Sequence, residues 1–255
     1  MNIKTIYKKI NINPFFYFFG VLCILTGLFK QFIIMYLIIF IHELGHIVMA
    51  LIFKYRIKKI NIYPFGGYTL FEYDINTSFI TEFMVFLGGI LFQITFFIIL
   101  KNVINNTSYT YELIKNYNLS ILIFNMLPII PLDGSKILNI LFNKIFPFKK
   151  SHLLTIYISY MVVLILLIFS IKNLNLLLMV FLLLTLIIKE HKRHQLIFNA
   201  FLLERYIKDI KFKNINFIRK LEVKYIKKYA KNIYVKNNRY VDEKEVLANK
   251  FNSIY

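Results

Sequence analysis

Apolar blocks close to the length a helix needs to cross a bilayer, about twenty residues, recur along this chain. They fall at 14–29, 31–53, 78–100, 119–136, 153–171 and 174–188. Helices that are apolar on every side need lipid or protein all round. The pattern therefore predicts an all-α polytopic membrane protein of about six transmembrane helices. Composition agrees: 58% of the 255 residues are hydrophobic, beyond the usual share for soluble domains. The block at 119–136 is short and runs into a polar segment holding Pro128 and Pro131. Non-helical backbone at membrane depth survives only inside protein or beside a water-filled cavity, so this segment is expected to line something. Between the second and third blocks, "INIYPFGGYTLFEY" alternates around a Pro-Phe-Gly-Gly turn and predicts a small membrane-associated β-hairpin.

Basic residues set the expected orientation. Lys4, Lys8 and Lys9 precede the first block, Lys54, Arg56, Lys58 and Lys59 follow the second, and Lys144, Lys149 and Lys150 follow the fourth. The tail from Lys189 carries 17 Lys and Arg. Six spans with both termini cytoplasmic put all of these on one side. No small-x-small cleavage site follows the first block, so it is expected to stay as a span. The chain divides into an expected transmembrane domain, 1–188, and a short basic cytoplasmic C-terminal region, 189–255. The net charge of +19 is read as attraction to the lipid bilayer plus codon bias toward Lys, with no nucleic acid as partner. Cys23 is the sole cysteine, which excludes an intrachain disulfide.

Within the second block, "IIFIHELGHIVMA" places His42, Glu43 and His46 in an otherwise apolar run. Intramembrane ionisable groups are costly and need a reason. On a helix, residues i and i+4 share a face, so both imidazoles can reach one Zn2+. Glu43 beside them can act as general base toward a water whose pKa zinc lowers toward 7. Three ionisable groups at one level would otherwise demand several hydrogen-bonding partners from neighbouring spans. A catalytic zinc needs a third protein ligand, and Asp133 in "NMLPIIPLDG" is the best candidate. The same Asp-Gly pair also reads as a turn or helix cap, and the two readings coexist.

His42-Glu43-Leu44-Gly45-His46, with Pro131-Leu132-Asp133-Gly134 in a later span, resembles the site-2 protease family of intramembrane zinc metalloproteases, peptidase family M50. "NMLPIIPLDG", "PFGGY" after the second block and "FLLERY" (Phe201 to Tyr206) are similar to its stage IV sporulation protein FB-like branch. The resemblance covers roughly residues 5 to 210. It implies a zinc metalloendopeptidase with His42, His46 and Asp133 as ligands and Glu43 as general base. It further implies that Asn125, Pro131, Gly66 and Gly67 lie near the substrate. The substrate is expected to be a membrane-bound pro-protein, in that branch a precursor sigma factor, cut by regulated intramembrane proteolysis in a bacterial cell or forespore membrane. Further membrane proteins that inhibit or scaffold the enzyme are expected partners. Gln93, where many members have Asn, is given no role, and Gly88-Gly89 is read as a site of close helix approach. The tail is expected to be too short for a complete nucleotide-sensing module.

A rival reading is a metal-binding or ion-transporting membrane protein without protease activity. That class predicts polar residues along several spans, and the first, fifth and sixth blocks offer almost none.

Overall fold

Local sequence rules account for where most helices begin and end. A computed structural model describes residues 10–63, 66–72, 74–104, 108–236 and 239–252. A short strand β1 (Ile10–Ile12) leads into α1 (Pro14–Leu25), which starts with proline at its first position, where no N–H is needed. Gly27, at φ +73°, turns the chain into α2 (Phe29–Ile52). Strands β2 (Arg56–Tyr63) and β3 (Gly66–Glu72) precede the long helix α3 (Phe79–Val103). Next come α4 (Tyr109–Met126), α5 (Asp133–Ile145), α6 (Phe148–Ser170) and α7 (Leu174–Ile207). The tail folds as β4 (Ile215–Ile218), a 3₁₀ turn, β5 (Lys231–Lys236), β6 (Arg239–Asp242) and α8 (Glu243–Asn252).

Among the described residues, four helices, α2, α3, α6 and α7, are long and apolar enough to cross a membrane. Their exposed faces carry residues such as Phe40, Ile98, Phe169 and Phe181, as lipid-facing surfaces should. Three expectations need correction. Helix α1 has 12 residues, about 18 Å at 1.5 Å per residue, which is short of a full crossing. The expected span 119–136 is not one helix: α4 ends at Met126 and α5 starts at Asp133. Two prolines, which lack N–H and clash with the preceding turn, break it. The polar stretch before it is helical instead, its start capped by the Ser108 hydroxyl, which accepts from Tyr111 N at 3.2 Å. Nor is the chain all-α, since it holds two three-stranded sheets.

The chain forms two compact units. In the first, β1–β2–β3 make one sheet, with β1 parallel and β3 antiparallel to β2. The expected hairpin is thus present, and Gly66 pairs with Tyr63. Pro64 and Phe65 of its turn, like Lys4, Lys8 and Lys9, lie outside the described residues. Ile34 and Ile38 of α2 pack with Ile114 of α4, flanked by Phe97 and Leu100 of α3. Helices α2 and α3 meet at glycines: a Cβ on Gly45 would stand 2.2 Å from the Gly88 carbonyl oxygen. Only glycine permits that approach, and dense backbone contact is what joins helices in lipid.

The second unit holds the first turn of α3 with its leader, α5–α7 and the tail. Its core gathers Phe148, Phe198, Phe201, Leu202, Ile218, Ile226, Tyr234 and Leu247. Helix α7 is capped by Asn173, whose side chain accepts from Asn175 N and Leu176 N. It continues well past its apolar part, and Arg205 near its end is fully buried. The guanidinium donates through Nε and Nη2 to Glu243, through Nη1 to Asn76 and Lys228 O, and through Nη2 to Ala230 O. Glu243 in turn accepts from Asn232 N and Nδ2. The phenol of Tyr234 in this core is pushed up by burial and by the nearby Glu243 carboxylate. A second buried carboxylate, Glu82, accepts from Lys228, Tyr229 and Thr77.

Candidate metal centre

Helix α2 places His42 and His46 one turn apart, 3% and 5% exposed. Their Nε2 atoms lie 3.1 Å from each other. What the other ring nitrogens meet decides the chemistry. His46 Nδ1 lies 2.8 Å from the Val85 carbonyl oxygen, which can only accept. His42 Nδ1 lies 2.9 Å from Gln93 Oε1. Both Nδ1 atoms therefore act as donors, which turns Nε2 of each ring toward the other. Orienting Nδ1–H bonds of this kind are typical of metal-bound imidazoles.

Helix α3 makes room for the rings. A Cβ on Gly89 would fall 2.4 Å from His46 Nε2 and 2.8 Å from His42 Cε1. Gly88 serves the helix contact described above, whereas Gly89 faces the imidazoles.

Asp133 is the first residue of α5 and is buried. Leu132 before it is extended and supplies no side-chain cap, so the carboxylate itself sits at the positive end of the helix. Lys136 Nζ lies 2.9 Å from Asp133 Oδ1. The non-helical stretch ahead of α5 is tied to α6 through the fully buried Ser159, which donates to Pro128 O and accepts from Ile130 N. Gly134 is forced by crowding: a Cβ there would stand 2.1 Å from the Met126 carbonyl oxygen.

His42, His46 and Asp133 are each buried, and together they offer two imidazole nitrogens and a carboxylate oxygen as metal donors. Two imidazole nitrogens and a carboxylate oxygen are donors that zinc accepts, and three protein ligands with a fourth position open is the pattern of catalytic zinc. The donor set fits the metal. Glu43, next to His42, is half-buried.

The remaining expected site residues are placed as follows. Asn125 is half-buried in the last turn of α4. Pro131 is half-buried in the stretch before α5, and Gly66 and Gly67 open β3 opposite Tyr63 and Ile62. Gln93, given no role from sequence, is fully buried and bonded to His42. Val85, Gly89 and Gln93 recur at i, i+4 and i+8, a spacing visible in sequence once α3 is known to face the histidines. The Val85 contact uses a backbone carbonyl and leaves no trace in residue type. His152 and His194 are buried against each other, Nδ1 to Nδ1 at 2.8 Å.

The chain matches the sequence profile of peptidase family M50 over residues 30–116 and 100–169. It is 38% identical over 206 residues to stage IV sporulation protein FB of Bacillus subtilis (strain 168), covering 78% of this chain and 71% of that protein. It is 29% identical over 152 residues to a zinc metalloprotease of Methanocaldococcus jannaschii, covering 58% of this chain and 44% of that protein. Among solved structures it resembles the site-2 protease of Methanocaldococcus jannaschii, with a TM-score of 0.56 and 26% identity over 71% of this chain and 89% of that one. With paired imidazoles and a buried aspartate as its donor set, the chain belongs to peptidase family M50 and is an intramembrane zinc metalloprotease of the site-2 protease kind.

Proposed function

We propose that this protease cleaves a membrane-tethered pro-protein by regulated intramembrane proteolysis, and that its substrate is a precursor sigma factor processed during sporulation. The observation that carries the reading is the His42, His46 and Asp133 donor set in a chain 38% identical to stage IV sporulation protein FB. In this reading those three residues hold zinc. When bound, zinc supplies the Lewis acidity that makes water a competent nucleophile near neutral pH. Glu43 takes the proton from the attacking water and returns it to the leaving amide nitrogen. The substrate must unwind before attack, because a helical peptide carbonyl is shielded within its own turn. In this reading Asn125 donates to a substrate carbonyl oxygen as it gains charge, with Pro131 and the Gly66-Gly67 strand beside the extended peptide. Both termini and the basic 189–255 region in the cytoplasm of a bacterial cell or forespore complete the reading. Membrane proteins that inhibit or scaffold the enzyme are further partners.

The decisive experiment is co-expression with a candidate membrane-bound pro-sigma factor. Glu43→Gln is expected to keep its zinc and lose cleavage, by at least ~10²-fold for a missing general base. Cleavage at the wild-type rate would sink the mechanism, and cleavage of other membrane proteins but not of pro-sigma factors would sink the substrate.

A further inference from the structure

We propose that Gln93 is a positioning residue for the metal, holding His42 in the one tautomer that can bind a cation. The inference rests on reading His42 and His46 as zinc ligands. Gln93 sits in the apolar run "GGILFQITFF" of α3 and is 0% exposed. A buried amide without partners costs about 1–3 kcal/mol, so its presence needs a reason. Both ends are engaged. Gln93 Nε2 donates to the Asn118 carbonyl oxygen of α4 at 2.8 Å. That oxygen can only accept, using the lone pair its own helix bond leaves over. The amide therefore cannot flip, and Gln93 Oε1 must face His42 Nδ1. His42 then donates through Nδ1, which leaves Nε2 as the nitrogen that can coordinate a cation. The order runs from the α4 backbone through the amide to the imidazole, each bond setting the direction of the next.

His46 reaches the same state differently, through the backbone carbonyl of Val85. Substitution cannot remove that acceptor, whereas Gln93 is a side chain. Half of the orienting shell is therefore open to mutation, and position 93 controls it.

The test compares purified full-length wild type, Gln93→Met and Gln93→Glu in detergent. Zinc affinity is read by competition with a chelator, the cobalt-loaded absorption spectrum reports ligand geometry, and thermal melting is followed with and without zinc. Gln93→Met keeps the volume and removes the acceptor. It is expected to bind zinc 10–100-fold more weakly, with an altered cobalt spectrum and an apo-protein that melts as the wild type does. Gln93→Glu keeps an oxygen toward His42 and is expected to restore most of the affinity. Unchanged zinc affinity in Gln93→Met would overturn the proposal. So would a glutamate variant as weak as methionine, or a methionine variant whose apo-protein alone is destabilised while zinc raises its melting point as much as in wild type. A wild-type protein that binds no zinc would overturn the ligand reading itself, and this inference with it.

Discussion

At the scale of residues, the centre is defined by which nitrogen of each histidine is held by an acceptor. His42 and His46 turn their Nδ1 atoms to acceptors and their Nε2 atoms to each other, 3.1 Å apart. The i, i+4 spacing that permits this is legible in "HELGH"; the tautomers are not, because they depend on Val85 O and Gln93. Gly89 is a second contribution that residue type conceals. Its missing Cβ leaves space that a methyl would occupy 2.4 Å from His46 Nε2. Gly89→Ala is expected to displace the ring and lower zinc content and cleavage together, as metal analysis of the purified variant will show. Asp133→Ala removes the carboxylate donor while leaving the helix start in place. Zinc is expected to fall well below about one per chain, and unchanged metal content would remove Asp133 from the ligand set.

At the scale of elements, the prolines that interrupt the fourth apolar block were legible as a break, but the helix boundaries around it were not. Hydropathy weights 119–136 as one stretch, whereas hydrogen bonding ends α4 at Met126 and begins α5 at Asp133. The freed backbone groups are recovered by Ser159, a residue of α6 that sequence reasoning had no cause to single out. Ser159→Ala leaves the Ile130 N–H and Pro128 carbonyl without that hydroxyl. The expected cost is about 1–3 kcal/mol, measured as a lower melting point of the purified apo-protein. Helices α2 and α3 approach at Gly45 and Gly88. Gly88→Ala puts a Cβ 2.6 Å from the Gly45 carbonyl oxygen. Overpacking there is expected to cost about 1–3 kcal/mol and to weaken zinc binding, because the same two helices hold the histidines and their acceptors.

At the scale of the whole molecule, the basic tail is a folded structure and not simply a charged extension. "FLLERY" supplies its anchor: Phe201 and Leu202 enter the core and Arg205 is buried against Glu243. Arg205→Ala strands a buried carboxylate, and breaking such a pair costs about 3–5 kcal/mol. The tail is expected to become the first site of limited proteolysis in this variant, while residues before α7 stay protected. Arg205→Lys is expected to rescue poorly, since an ammonium cannot make the forked contact. By itself the sequence determined the membrane class, the spacing of the two histidines, the break before Asp133 and the family, because hydropathy, helical periodicity and the missing N–H of proline are local properties. Only the tertiary structure decided the rest. Gln93 and Val85 O set the tautomers, Gly89 clears space for the rings, Ser159 repairs the break and Arg205 secures the tail. Each of these depends on atoms far apart in the chain coming within hydrogen-bonding or contact distance, and no pattern along the chain encodes that distance.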